Sequence, residues 1–228
     1  MIFDICQQVA SHFDMEVHSF DELDSSNDFA KQNTSAQSKD ALIHCRRQPA
    51  GRGRRGRGWD DNGDESQLFM TLRLKLDSPP QPIATPIVGR MLAEALEAQG
   101  LEDVSIKPPN DIYLGTQKTA GLLCEAVSEG PHHHFLVGCG LNVLAAPGDF
   151  GFVSQQIPVD KDRFRELLTH FVSGVLSARG DLTQSRLSET HCDRLRELLI
   201  RHPGTEFLDI KSDGSLKTAL ETVHWSDL

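Results

Sequence analysis

RQPAGRGRRGRGW, residues 47–59, follows Arg46 and sets arginines at 47, 52, 54, 55 and 57 among glycines at 51, 53, 56 and 58 before closing on Trp59. Glycine lets a backbone bend sharply and come close to a ligand, and each guanidinium carries a planar fork of donors suited to carboxylate or phosphate. The run therefore reads as a loop that wraps a small anion, as a solvated basic loop, or as a Gly/Arg segment for nucleic acid.

The rest of the chain weighs on that choice. Its 228 residues hold 23 Lys and Arg against 33 Asp and Glu, a net charge of −10, so the molecule as a whole repels nucleic acid and anionic membranes. A hydrophobic content of 38% supports one sizeable core, or one domain with a small appendage. Cysteines at 6, 45, 124, 139 and 192 show no CxxC spacing and fit buried thiols in a reducing compartment. The opening MIFDICQQVASHFD lacks a basic and an apolar leader region, and no apolar run approaches the ~18 residues of a membrane span. A cytoplasmic location is expected.

Patterning predicts mixed α and β structure without repeats. In LDSSNDFAKQ, Ser25 or Ser26 can cap a short helix by accepting an orphan amide proton of its first turn. Leu68, Met70, Leu72, Leu74 and Leu76 alternate with Phe69, Thr71, Arg73 and Lys75, which predicts a strand with one buried face. Apolar residues recur at helical spacing over 83–98 and again over 164–176. Strands are predicted over 104–107, 112–114, 121–126 and 135–143. A helix over 187–202 leads to a hairpin turned at SDGS, residues 212–215. The expected architecture is α+β, a mixed sheet flanked by helices. PHHH, 131–134, reads as a polar hairpin tip rather than a metal site, because no acidic or cysteine ligand has the spacing to complete one.

Beyond these readings, AGRGRRGRGW (50–59) resembles the signature loop of biotin protein ligases. KPPND (107–111), KTAGLLCE (118–125), GCGLNV (138–143) and LDSSN (23–27) resemble further segments of that family, in the same order and at similar spacing. The resemblance covers about residues 15–180. It implies a fold like that of class II aminoacyl-tRNA synthetases and biotin synthetases, with a catalytic domain over 1–185 and a reduced helix and β-hairpin segment over 186–228. It is to the members without a DNA-binding region.

The activity implied is ATP-dependent formation of biotinyl-adenylate and transfer of biotin to a lysine of a biotin carboxyl carrier domain. Magnesium would arrive with ATP. By resemblance, Arg52, Gly53, Arg54 and Lys118 hold the substrate carboxylate and the adenylate phosphate, with Ser25, Ser26 and Asn27 at the ring end of the acyl substrate. Arg55 and Arg57 order the loop and phosphates, Trp59 covers the intermediate, and Asn110 and Asn142 lie on the nucleotide side. Lys118, Arg52, Arg54 and Asp111 are the catalytic candidates, with Asp111 placed to take the acceptor lysine's proton. A homodimer is among the partners implied, and nucleic acid and membrane are not.

Departures from the family pattern carry expectations of their own. Pro49 stands where the family commonly has glutamine, so the amide that would bond the ureido ring is expected to be missing. Pro108 replaces a tryptophan, and DDNGDESQLF (60–69) is expected to form a differently shaped loop. Two alternatives stay open: an acyl-adenylating ligase for another carboxylic acid, and a non-catalytic homologue that binds a ligand.

Overall fold

The structure, a computed structural model, describes all 228 residues. The chain opens with α1 (Ile2–His12), β1 (Glu16–Glu22), α2 (Ser26–Gln32) and β2 (Ala41–Arg47). After the arginine turn come β3 (Gln67–Leu76), α3 (Ala84–Ala98), β4 (Val104–Lys107), β5 (Asp111–Leu114), β6 (Gln117–Glu129) and β7 (His132–Asn142). Then follow α4 (Lys161–Ser177), α5 (Glu189–Ile200) and three short strands, β8 (Asp209–Ile210), β9 (Ser215–Lys217) and β10 (Thr222–His224).

Seven strands form one sheet in the order β1-β2-β3-β7-β6-β5-β4, with β1 parallel to β2 and every other neighbour antiparallel. This is the expected mixed sheet. Leu68, Met70, Leu72 and Leu74 of β3 join Ile5, Val9, Leu92, Leu168 and Val172 in one core, so α1, α3 and α4 cover that face. α5 packs beside α3 and against β4.

The opposite face is also covered, and here the expectation of a half-exposed β3 fails. Phe69, Thr71 and Arg73 are buried; α2 packs on β3, where Thr71 meets Ser26 and Asn27, and Arg73 reaches the 33–39 segment that follows α2. Arg73 is a buried charge with every branch engaged: it donates to the carbonyls of Lys39 and Asn33 and pairs with Glu16 at 2.9 Å. Such a charge stays buried only because its desolvation is offset by those partners.

Ser25 is the cap of α2, accepting the Asp28 amide at 3.2 Å. The hairpin between β6 and β7 turns at Gly130, whose φ of +57° suits glycine. Its tip is therefore 130–131, and the three histidines open β7 instead, with His134 buried and its Nε2 on the Ser35 carbonyl. The turn at SDGS joins β8 to β9 as expected, and β10 adds a third strand. The boundary expected at 185/186 separates two sheets but not two cores, because Leu187, Leu195, Phe207, Ile210, Leu216 and Trp225 join the same core as α3 and α4.

Candidate active site

A cavity of about 460 Å³ opens on the α2 face of the sheet. Its walls are the first turn of α2, the arginine turn, the 107–111 segment, and β6 with β7. Three glycines make it possible. Gly121 and Gly140 are register partners on neighbouring strands, and the Trp59 indole lies directly on both: a Cβ at either would come within 2.7 Å of the ring. Gly138 does the same for Asn27, where a Cβ would sit 2.3 Å from Oδ1. The indole is thus laid against the sheet rather than over the mouth, with its Nε1 buried and making no hydrogen bond.

Lys118 reaches this face through an irregularity. Ile112 pairs with Ala120 but Tyr113 pairs with Lys118, so Thr119 is an extra residue, a β-bulge. Strand alternation alone would turn Lys118 away from Gly121; the bulge re-aims it. Its Nζ then lies 2.7 Å from Asp111 Oδ1 and 5.3 Å from the centre of the Trp59 ring.

At the other end the lining is neutral and polar. Asn27 donates to the Leu123 carbonyl at 3.0 Å and to Glu125 at 2.9 Å, and its Oδ1 accepts from Thr71 at 2.6 Å. The Ser26 amide donates to Gln48 Oε1 at 2.9 Å, and the Ser26 hydroxyl lies 2.9 Å from that of Thr71, whose proton goes to Asn27. Gln48 is buried in the cavity wall, and its Nε2 makes no hydrogen bond to the protein. The missing amide expected from Pro49 is therefore present one residue earlier. Asp61 fixes it there by accepting the Gln48 amide at 2.9 Å while holding Gly63 at 2.7 Å, so the acidic 60–66 loop buttresses the arginine turn.

The candidates Ser25, Ser26, Asn27, Arg52, Gly53, Arg54, Arg55, Arg57, Trp59, Asn110, Asp111 and Lys118 all border this one cavity. Asn142 does not. It borders a small adjoining space with Trp59 and Lys118, and its amide is used internally, accepting from Gln67 at 2.9 Å and donating to the Gly151 carbonyl at 3.0 Å. Asn110 donates to the Leu122 carbonyl at 2.6 Å, which ties its turn to β6.

Arg52, Arg54 and Lys118 share the cavity, but not as a bare cluster of cations. Arg52 is paired with Asp28 and Lys118 with Asp111. Arg54 and Arg57 have no carboxylate within ion-pair distance. Burial, together with neighbouring Arg55, lowers the affinity of the Arg54 guanidinium for its proton, and an anion placed beside it would offset both effects by favouring the charged form. Burial and Asp111 push the Tyr113 phenol up at the edge of the cavity, and burial and Lys107 push down His202, which packs on the Tyr113 ring. Burial holds the Cys124 and Cys139 thiols up at about 12, which leaves them without nucleophilic thiolate.

The C-terminal segment completes one wall. Trp225 is buried and its Nε1 donates to the Pro109 carbonyl at 2.7 Å, Arg55 donates to the Asp227 carbonyl at 3.3 Å, and Leu228 borders the cavity. Pro108 borders it as well, and the Trp225 bond to Pro109 ties the 108–109 turn to a distant part of the chain. Gln48, Thr71, Asp28, Glu125 and Tyr113 escaped the sequence reading. For Gln48 the signal was its place beside the arginine run; the others gave none, because only the fold brings them there.

A cation-lined end, a neutral hydrogen-bonding end and an indole along the floor suit an elongated ligand with one acidic terminus. Known proteins agree with that geometry. The model of the biotin/lipoate A/B protein ligase family matches residues 19–142. The bifunctional ligase/repressor BirA of Escherichia coli is 33% identical over 137 residues, which is 58% of this chain and 42% of BirA. The biotin–[acetyl-CoA-carboxylase] ligase of Paracoccus denitrificans is 35% identical over 133 residues, 54% of this chain and 53% of that enzyme. The chain thus spans about half the length of such relatives. In fold it is similar to the biotin protein ligase of Aquifex aeolicus in complex with biotin and ATP, with a TM-score of 0.71 at 19% identity over 90% of this chain and 92% of that one. The match to the family model spans most of the seven-stranded sheet and every cavity-lining residue except Phe150 and Leu228: the chain belongs to the biotin/lipoate A/B protein ligase family.

Proposed function

We propose that this chain is an ATP-dependent biotin–protein ligase. In the first step a biotin carboxylate oxygen attacks the α-phosphorus of ATP, the bond to pyrophosphate breaks, and biotinyl-adenylate forms. In the second, a lysine amine of a biotin carboxyl carrier domain attacks the acyl carbon, AMP leaves, and the amine's proton is taken up by Asp111. Bringing two anions together is the main electrostatic difficulty, and preorganised cations are what lower it. Arg54, Arg57 and Lys118 supply them. The observation that carries the reading is the single cavity that joins those cations to the Ser26, Asn27 and Gln48 end, across the Trp59 floor. The similarity to biotin ligases supports biotin as the acid.

No three His, Cys, Asp or Glu side chains converge as metal ligands, and Asp111, the carboxylate nearest Lys118, is paired with it. Magnesium would therefore be carried by the nucleotide's phosphates, whose charge it neutralises. All five cysteines are free and no helix is long and apolar enough to cross a membrane, which supports the cytoplasm as its compartment.

Pyrophosphate release with ATP, magnesium and a panel of biotin, lipoate and fatty acids tests the proposal. Biotin is expected to give the fastest release. Faster release with another acid would move the chain to a different substrate, and none with any acid would leave a binding protein.

A further inference from the structure

Arg52 stands in the signature turn and borders the cavity, yet its guanidinium is already committed. Nε donates to Asp28 Oδ2 at 2.7 Å, Nη2 donates to Asp28 Oδ1, and Glu125 Oε2 lies 3.8 Å from the same Nη2. Two parallel bonds to one carboxylate use the fork as a geometric clamp, which a single ammonium could not do.

Both acids are themselves held in place. Asp28 sits in the first turn of α2, where the Ser25 hydroxyl accepts its amide. Glu125 on β6 also accepts from Asn27 at 2.9 Å and from Lys31 at 3.3 Å. Asn27 is the residue that meets Thr71 at the neutral end of the cavity. Arg52 therefore fastens the arginine turn to the same two elements that shape that end.

We propose that Arg52 is a positioning residue: it latches the 51–58 turn onto α2 through Asp28 and onto β6 through Glu125, and leaves the ligand's anionic group to Arg54, Arg57 and Lys118. The latch is a feature of the fold, and its effect on catalysis rests on the adenylation reading. Released from it, the turn keeps its bridge between Arg52 and Gly58 but loses its side-chain attachment to the wall opposite.

Two measurements on the full chain test this. The turn is its own protease reporter, since trypsin cleaves after Arg52, Arg54, Arg55 and Arg57. In Asp28→Asn, cleavage mapped by mass spectrometry to 52–57 should quicken about tenfold, because cleavage follows the population of the opened turn, while thermal unfolding confirms that the fold is intact. An unchanged rate would overturn the latch.

In pyrophosphate release, Asp28→Asn should lower kcat/KM for the acid about tenfold, with KM rising. If Arg52 instead binds the anion, removing its competitor lowers KM for the acid, and the proposal fails. The exchange Asp28→Arg with Arg52→Asp should recover activity about tenfold over Arg52→Asp alone but not fully, since the pair with position 28 works in either polarity while an acid at 52 now faces Glu125. Activity as low as in Arg52→Asp alone would contradict it, because an acid at 52 would then be repelling the ligand. Should the wild type release no pyrophosphate with any acid, the adenylation reading falls while the cleavage rates still decide the latch.

Discussion

Gln48 and Pro49 show how much one position matters at the residue scale. A glutamine beside the arginine run is legible, but which of two adjacent residues faces the cavity depends on the end of β2 and on the Asp61 bond to the Gln48 amide, and neither is written in local sequence. Gln48→Ala is expected to weaken biotin binding by about 1–3 kcal/mol, five- to 150-fold, through loss of its free amide and of the acceptor for the Ser26 amide. Pro49→Gln should leave binding unchanged. Isothermal titration of both variants with biotin checks this, and tighter binding by Pro49→Gln would restore the idea of a missing contact. Gly140→Ala belongs here too. Its Cβ would fall 2.7 Å from the indole, so Trp59 must move. Adenylate formation should drop at least tenfold, by the general sensitivity of reaction geometry to displacements near 1 Å. Quenching of Trp59 fluorescence by the nucleotide should fall with it, whereas unaltered kinetics would show that the floor is not used.

Among the elements, those with a strong period were legible. β3, α3, α4 and the β5–β6–β7 strands fall within a few residues of expectation because leucine alternation and helical spacing survive any context. α1 carries such a signal in Ile2, Ile5, Cys6, Val9 and Ala10, at helical spacing. β1 carried almost none: it lies at the sheet edge with no residue buried, and β2, buried on both faces, reads as an apolar run broken by His44. That histidine has a consequence for β1 and β2. It is buried, its Nε2 meets Ser19 Oγ at 2.7 Å, and burial with the nearby Arg46 charge lowers it from 6.5 to about 4. A histidine lowered in the folded state stabilises fully above its unfolded value, and that contribution is lost as pH falls from about 6.5 towards 4. Between pH 7 and pH 5 the loss should be about 2 kcal/mol. Urea midpoints across that range, compared with His44→Gln, isolate the term; an equal pH dependence in both proteins would remove His44 from the account.

For the whole molecule, the fold class followed from periodicity and the site from linked motifs, but the closure between them did not. The C-terminal residues reach the cavity through Trp225 on Pro109 and Asp227 on Arg55, contacts between segments more than a hundred residues apart in sequence. The bulge at Thr119 and the facing glycines are likewise properties of paired strands, invisible until the register is known. What the assembled molecule is claimed to do is hold an activated acid beside Arg54 and Lys118. Mass spectrometry of the protein incubated with biotin, ATP and magnesium, without an acceptor, measures that most directly. The account predicts biotinyl-adenylate retained near one equivalent per chain, and its loss in folded Arg54→Ala and Lys118→Ala. Retention undiminished in both variants would contradict it, as would its absence from the wild type.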